Sequence, residues 1–295
     1  MRNHLSALIL LALGATALGA WAQPISFSEL LARPRPAAPL RVPTVNGQFG
    51  ELFVPAGAGP HRVVVLIHGG CWLAELPGVE LMDYIAEDLR KRGYAVWSIE
   101  YRRVGADGGG YSATFEDVGR GIDVLRTLAP EYHLDLTKVV VVGHSAGGQL
   151  ALWAAARARL PKTSALYSPN PLPIAGVVSL AGIDDLKAYR ENRDGACGGP
   201  SVIDALTGAA TRKDDVYADT SPAAMLPIGV KQVIVSGDLD PIVPPRFAHD
   251  YAVKAKAAGD SVTDIEIKDA GHFELIDPQS AAWPRIVAEI ETLAK

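Results

Sequence analysis

The sequence predicts an α/β protein with a mostly parallel central sheet and helices on both faces. Short, nearly continuous apolar runs, the last of them alternating, indicate buried strands. Segments with helical spacing of apolar residues separate these runs, and such alternation is typical of parallel sheets. The strand-like runs cover 62–67, 94–99, 138–142, 174–180, 232–236 and 262–267. The helical segments between and after them include 79–92, 114–128, 247–258 and 283–293.

Composition and charge limit the classes of function that this chain is expected to have. The chain has 295 residues, of which 48% are hydrophobic and 21% charged, enough for one large core. The net charge is −5, the sequence pI is about 5.8, and no cluster of Lys and Arg stands out. We therefore expect no nucleic-acid partner. The sequence makes no prediction of the oligomeric state.

Residues 1–22 have the pattern of a secretory signal peptide. A positive end with Arg2 and His4 precedes an apolar run over 5–20, and Ala20-Trp21-Ala22 forms an A-x-A cleavage site. The alternative is a membrane anchor, but the run is shorter than the ~20 residues that a span needs. We expect a mature chain from Gln23, periplasmic or secreted, with no stable membrane anchor.

The remaining chain is read as an arm and one domain. Prolines at 24, 34, 36 and 39 predict an extended Pro-rich arm over 23–41. The domain follows over 42–295 and opens with a hairpin that turns near Asn46-Gly47. Residues 183–227 are polar, rich in glycine near 195–199 and weakly periodic. They predict a small cap-like insertion over one end of the sheet.

A G-x-S-x-G motif over 143–147 follows the valine run and precedes a helical pattern. Strand, sharp turn and helix form the context of a nucleophile elbow, which presents a serine hydroxyl above the sheet. In such a turn Ser145 takes a strained backbone conformation. Gly143 and Gly147 are required because a Cβ atom there would clash with neighbouring elements.

A serine nucleophile needs a base, and the base needs an orienting carboxylate. His272 lies in a turn just after the last strand and is the best candidate base. Asp240 and Asp238 both follow the strand over 232–236. We favour Asp240, which lies further into the loop, and Asp238 stays open as the alternative. The order Ser145, Asp240, His272 is that of α/β-hydrolases.

Backbone N–H donors are needed to stabilise the oxyanion of a tetrahedral intermediate. Ala146 follows the nucleophile and is one candidate. The glycine-rich loop after the strand over 62–67 supplies the others, Gly70 and Cys71, with Gly69 allowing the bend.

Together these motifs resemble the α/β-hydrolase superfamily over nearly the whole mature chain. The HGGCW sequence over 68–72 and GHSAGGQLA over 143–151 resemble the branch of small carboxylesterases, feruloyl-esterase-like enzymes and kynurenine formamidases. The hormone-sensitive-lipase branch is also similar, but Cys71 stands where its HGGG motif has the third glycine. The resemblance implies the α/β-hydrolase fold and a Ser-His-Asp triad.

We expect the protein to hydrolyse esters of small or medium acyl or aryl groups through an acyl-enzyme. We expect a small-molecule substrate and no cofactor or metal. An arylformamidase is the alternative, although export argues against it. A peptidase of the prolyl-oligopeptidase type is disfavoured because no propeller precedes the domain. A non-catalytic binding protein of the same fold is disfavoured because nucleophile and base are both present.

The two cysteines, Cys71 and Cys197, are expected to form a disulfide. A secreted or periplasmic chain meets an oxidising environment, in which thiols tend to pair. Cys197 lies among glycines that can adapt to the geometry of the bond. The bond would tie the insertion to the oxyanion loop; two unconnected cysteines are the alternative.

Overall fold

The predicted strands pair in one sheet. The computed structural model describes residues 24–105, 108–192 and 195–295, so the proposed signal peptide lies outside the described residues. The strands are β1 Leu40–Pro43, β2 Phe49–Phe53, β3 His61–Ile67, β4 Ala95–Ile99, β5 Leu134–His144, β6 Gly176–Leu180, β7 Lys231–Gly237 and β8 Val262–Ile267. Their order in the sheet is β1-β2-β4-β3-β5-β6-β7-β8.

Parallel pairing joins all strands from β3 to β8, which confirms the mostly parallel sheet. The two exceptions are β1 and β2, which pair antiparallel with each other, while β2 pairs antiparallel with β4. A 3₁₀ turn over Val45–Gly47 joins β1 to β2, as expected of the Asn46-Gly47 signal. Since β3 to β8 run in one direction, their carboxyl ends meet at one edge of the sheet.

Helices cover both faces of the sheet. They are α1 Phe27–Leu31, α2 Asp83–Lys91, α3 Ala113–Asp123, α4 Leu125–Tyr132, α5 Ala146–Ala156, α6 Leu186–Glu191, α7 Pro200–Thr207, α8 Pro245–Ala257 and α9 Trp283–Leu293. The core under α3, α4, α5 and α8 includes Val139 and Val141 of β5. The core under α1, α2 and α9 includes Val140 and Val142.

The valines of β5 show why the run is continuously apolar. Successive side chains of a strand point to opposite faces, and here each face is covered. All four valines over 139–142 are fully buried. Burial of each contributes roughly 1.5–3 kcal/mol to stability.

Two segments differ from the sequence prediction. The arm over 23–41 is not uniformly extended, because a capping box between Ser26 and Glu29 starts α1. The helix predicted over 114–128 is two helices that meet at Val124. The predicted insertion over 183–227 includes two helices, α6 and α7, for which the sequence made no specific prediction. None of the helices within the described residues has the length and apolar content needed to span a bilayer.

Candidate active site

Ser145 lies in the turn between β5 and α5. Its backbone has φ 55° and ψ −121°, in the positive-φ region that costs a residue other than glycine about 1–3 kcal/mol. The surrounding backbone holds this conformation, because the Ser145 N–H donates to the Leu180 carbonyl at 2.8 Å. The Ser145 carbonyl accepts from the Gly148 N–H at 2.9 Å. The serine is therefore fixed at the carboxyl end of the sheet and at the start of a helix.

Two glycines make this turn sterically possible. A Cβ atom on Gly143 would lie 2.0 Å from the Gly147 carbonyl oxygen. A Cβ atom on Gly147 would lie 2.1 Å from the Ile67 carbonyl oxygen. Both distances are far below contact, which confirms the steric reason for the motif.

Asp240 and His272 are joined at the ends of β7 and β8. Asp240 Oδ2 and His272 Nδ1 are 2.6 Å apart, and both side chains are buried. The other carboxylate oxygen, Oδ1, accepts from the N–H groups of Ile242 at 2.8 Å and Val243 at 2.9 Å. A carboxylate held at both oxygens fixes the imidazole and places the N–H on Nδ1, which leaves Nε2 able to accept a proton.

Asp238 has a different environment. Its backbone N–H donates to the Ile267 carbonyl at 3.1 Å. Within the described residues its Oδ1 atom is buried without a hydrogen-bond partner. Of the two candidate acids, the structure brings Asp240 to His272.

His144 contributes to the site in a way that the sequence did not indicate. Its Nε2 lies 3.0 Å from the His272 carbonyl oxygen, and the two rings are 4.5 Å apart. Burial, and then the charge of His272, hold the pKa of His144 well below its ordinary value. The ring is therefore neutral and its Nε2–H donates to the carbonyl. His144 thus steadies the backbone of His272; only its place beside Ser145 could have suggested a role.

The loop after β3 carries the predicted oxyanion donors. Gly70, Cys71 and Trp72 have φ values of 93°, 52° and 56°. Among the described residues, no hydrogen bond is made by the N–H groups of Gly70, Cys71 or Ala146. Gly70 and Cys71 line the same cavity as Ser145.

Neighbouring segments brace this loop. The Trp72 carbonyl accepts from the Val104 N–H at 2.7 Å, and the Trp72 indole donates to Gln149 Oε1 at 3.1 Å. Gln149 belongs to α5, so the loop is tied to the helix that follows Ser145. A preorganised loop needs no rearrangement when negative charge develops.

His68 anchors the base of the loop. Its Nδ1 lies 2.7 Å from the Gly69 carbonyl and its Nε2 lies 2.9 Å from Glu100 Oε1, while its ring stacks on Tyr101. Burial acts to raise the pKa of Glu100, but the charge and hydrogen bond of His68, with Arg103, outweigh it and lower that pKa to about 2. Glu100 is therefore ionised. Both nitrogens of His68 face acceptors, so this residue holds the loop rather than the substrate.

A mostly apolar cavity of about 170 Å³ lies over Ser145 and His272. Its apolar wall is formed by Phe27, Leu76, Leu81, Ala196, Ile242 and Phe273. In the described part of the chain, Ser145 Oγ makes no hydrogen bond, although His272 lines the same cavity. A hydrogen bond between a catalytic base and its nucleophile is often long in an unliganded enzyme and tightens with substrate.

No group of acidic, His and Cys side chains suited to a metal occurs within the described ranges.

A disulfide joins Cys71 to Cys197, which are 126 residues apart in sequence, with 4.9 Å between their Cα atoms. It ties the loop after β3 to the segment between α6 and α7. Ala196, the neighbour of Cys197, lines the cavity. The bond therefore links the proposed cap to both the loop and the cavity wall.

Reduction of this disulfide is expected to lower both thermal stability and activity. Closing a loop of this length stabilises by roughly 4–5 kcal/mol on the chain-entropy model, and measured values are often smaller. Activity should fall because Cys71 supplies a proposed oxyanion donor. Tm and kcat/KM measured with and without reductant provide the test. The double variant Cys71→Ser and Cys197→Ser is the control and should not respond to reductant. Free thiols at both positions in protein isolated without reductant would contradict the expectation.

A family model described as BD-FAE matches residues 51–254. Among curated protein sequences, no significant match is found.

Solved structures share the fold at low sequence identity. Esterase B from Lactobacillus rhamnosis has a TM-score of 0.74 at 17% identity, covering 90% of this chain and 88% of that one. Est2, an esterase from Thermogutta terrifontis, has a TM-score of 0.69 at 18% identity, covering 87% and 91%. A bifunctional GH43-CE protein from Bacteroides eggerthii has a TM-score of 0.68 at 22% identity, covering 84% of this chain. The present chain spans 36% of that longer protein.

Proposed function

Because the chain belongs to the BD-FAE family, we propose that it is a serine hydrolase that cleaves carboxylic esters. The main support is the position of Ser145 in a strained turn. Ser145 lines the same cavity as His272, whose ring is hydrogen-bonded to Asp240. The names of the structurally similar proteins, an esterase B and Est2, agree with ester chemistry.

In the first half of the reaction, Ser145 Oγ attacks the acyl carbon while His272 Nε2 takes the hydroxyl proton. The carbonyl oxygen becomes negatively charged and accepts from the N–H groups of Gly70, Cys71 and Ala146, with Gly69 providing the bend. Each such donor is worth roughly 3–4 kcal/mol in the transition state. His272 then gives its proton to the leaving alcohol oxygen, and an acyl-enzyme remains.

In the second half, His272 takes a proton from water, and the resulting hydroxide attacks the acyl carbon. The bond to Ser145 Oγ breaks, His272 returns the proton to that oxygen, and the carboxylic acid leaves. The Asp240 carboxylate orients the ring and stabilises the imidazolium. The two hydrogen bonds that its other oxygen accepts hold the carboxylate in place beside His272.

The cavity volume supports a small substrate. A cavity of roughly 150 Å³ holds a benzene ring. The cavity here, about 170 Å³, therefore suits a short acyl chain or one aromatic ring beside the scissile bond.

A hydrolysis panel on purified protein tests the proposal. It contains p-nitrophenyl esters of increasing acyl length, a feruloyl ester and N-formylkynurenine. The expected result is the highest kcat/KM on a short or aromatic ester. Preference for N-formylkynurenine over every ester would show that the protein is instead an arylformamidase. No hydrolysis of any compound in the panel would favour a non-catalytic binding protein.

We further propose that the protein is exported and that its mature chain begins at Gln23. The A-x-A site over 20–22 and the disulfide support this proposal. Intact-mass measurement after cell fractionation is the test. We expect the processed mass in the periplasm or medium, and a full-length chain confined to the cytoplasm would contradict the proposal.

A further inference from the structure

The N-terminal segment over residues 24–31 packs against the turn that carries His272. Phe27, the first residue of α1, lines the cavity over Ser145 and His272 although the active-site residues lie far along the chain. Its ring lies 6.1 Å from the ring of Phe273, which in turn meets the His272 ring edge-on at 5.1 Å. An aromatic wall therefore runs from the imidazole to the N-terminal segment.

A single carboxylate fastens this segment to the His272 turn. Glu274 Oε1 accepts from the Ile25 N–H at 2.6 Å, and Glu274 Oε2 accepts from the Gly271 N–H at 3.0 Å. Ile25 and Glu274 are 249 residues apart in sequence, so this contact is purely tertiary. Hydrogen bonds from backbone amides to a carboxylate are stronger than neutral ones, and here they align the segment with the residue before His272.

The segment is also held on its other sides. The capping box links the Ser26 N–H to Glu29 Oε2 at 2.7 Å and the Glu29 N–H to Ser26 Oγ at 3.2 Å. Leu30 is fully buried in the core under α2 and α9. Phe27 is 42% exposed and also lines the cavity, so its ring lies where the cavity meets solvent. An exposed aromatic ring at the mouth of an apolar cavity is positioned to contact substrate.

We propose that Phe27 is a specificity-determining residue that limits the length of the group accepted beside the scissile bond. This inference rests on the proposed ester hydrolysis and adds to it the residue that ends the cavity. Beyond the His272 ring on this side of the cavity lie the ring of Phe273 and then that of Phe27. Removal of the Phe27 ring would extend the apolar cavity outward, whereas a larger ring would shorten it.

The test compares Phe27→Ala and Phe27→Trp with the unmodified chain on two substrate series. One series is p-nitrophenyl esters from acetate to octanoate, and the other is acetate esters of alcohols from methyl to octyl. In Phe27→Ala we expect the kcat/KM ratio of the longest to the shortest substrate to rise about tenfold or more in at least one series, since each methylene in an apolar pocket contributes severalfold. Phe27→Trp should lower the same ratio.

Leu40→Ala is the matched control, because Leu40 is a similarly exposed apolar residue of the N-terminal region and does not line the cavity. Its ratio should not change, and Tm should show that all three variants fold. Unchanged ratios for Phe27→Ala in both series, on a chain that does hydrolyse esters, would overturn the role of Phe27. A chain that hydrolyses no ester in either series would instead refute the proposed function.

Discussion

Replacing Ser145 with alanine is expected to lower kcat for ester hydrolysis by roughly 10⁴-fold or more while leaving the fold intact. The side chain makes no hydrogen bond in the described part of the chain, so its loss removes no structural contact of that kind. Alanine can adopt the same backbone conformation at a similar cost, because the neighbouring hydrogen bonds to Leu180 and Gly148 involve only the main chain.

The measurement is kcat on the best substrate of the panel, together with Tm. Ser236→Ala is the matched control, because Ser236 is another buried serine, on β7, and does not line the cavity over His272. That variant should keep its activity. If a folded Ser145→Ala protein, free of wild-type contamination, retains more than about a tenth of kcat, Ser145 is not the nucleophile.

The second large effect is expected for Asp240→Asn. An amide at this position favours the wrong imidazole tautomer, and in a triad this loss costs about 10⁴-fold in kcat. The geometry supports the choice, because Asp240 Oδ2 lies 2.6 Å from His272 Nδ1. Asp238→Asn is the matched control, two residues away on the same loop, and should change kcat less than tenfold.

Steady-state kinetics of both variants at several pH values decide between the two acids. The substitution that mispositions the imidazole should lower kcat across the neutral range rather than only shift a pH midpoint. A larger loss for Asp238→Asn than for Asp240→Asn would assign the acid to Asp238 and refute the proposed triad.

Much of the fold could be predicted because a strand buried on both faces is a continuous run of apolar residues in the sequence. The valines over 139–142 must be apolar at every position, since both faces of β5 are covered. The ends of parallel strands meet at one edge, so Ser145, Asp240 and His272 could be grouped before their contacts were known. Two of those three, Asp240 and His272, are in direct contact.

Other features could not be predicted because they depend on contacts between distant segments. Nothing local to Phe27 indicates that it packs against Phe273. The hydrogen bond from His144 to the His272 carbonyl likewise joins residues that are far apart in the chain. α1 is a different case: its capping box over Ser26 and Glu29 is visible in the sequence, but the surrounding prolines favoured an extended reading.

The sheet and the segments that connect its strands contribute different residues to the cavity. The proposed nucleophile follows β5, and α5 and the backbone of β6 hold it in place. The apolar wall comes instead from segments outside the strands, such as Phe27 before β1, Leu76 after β3 and Ala196 in the insertion. Natural variation in those connections can alter which substrates fit without disturbing the strands that support bond breaking.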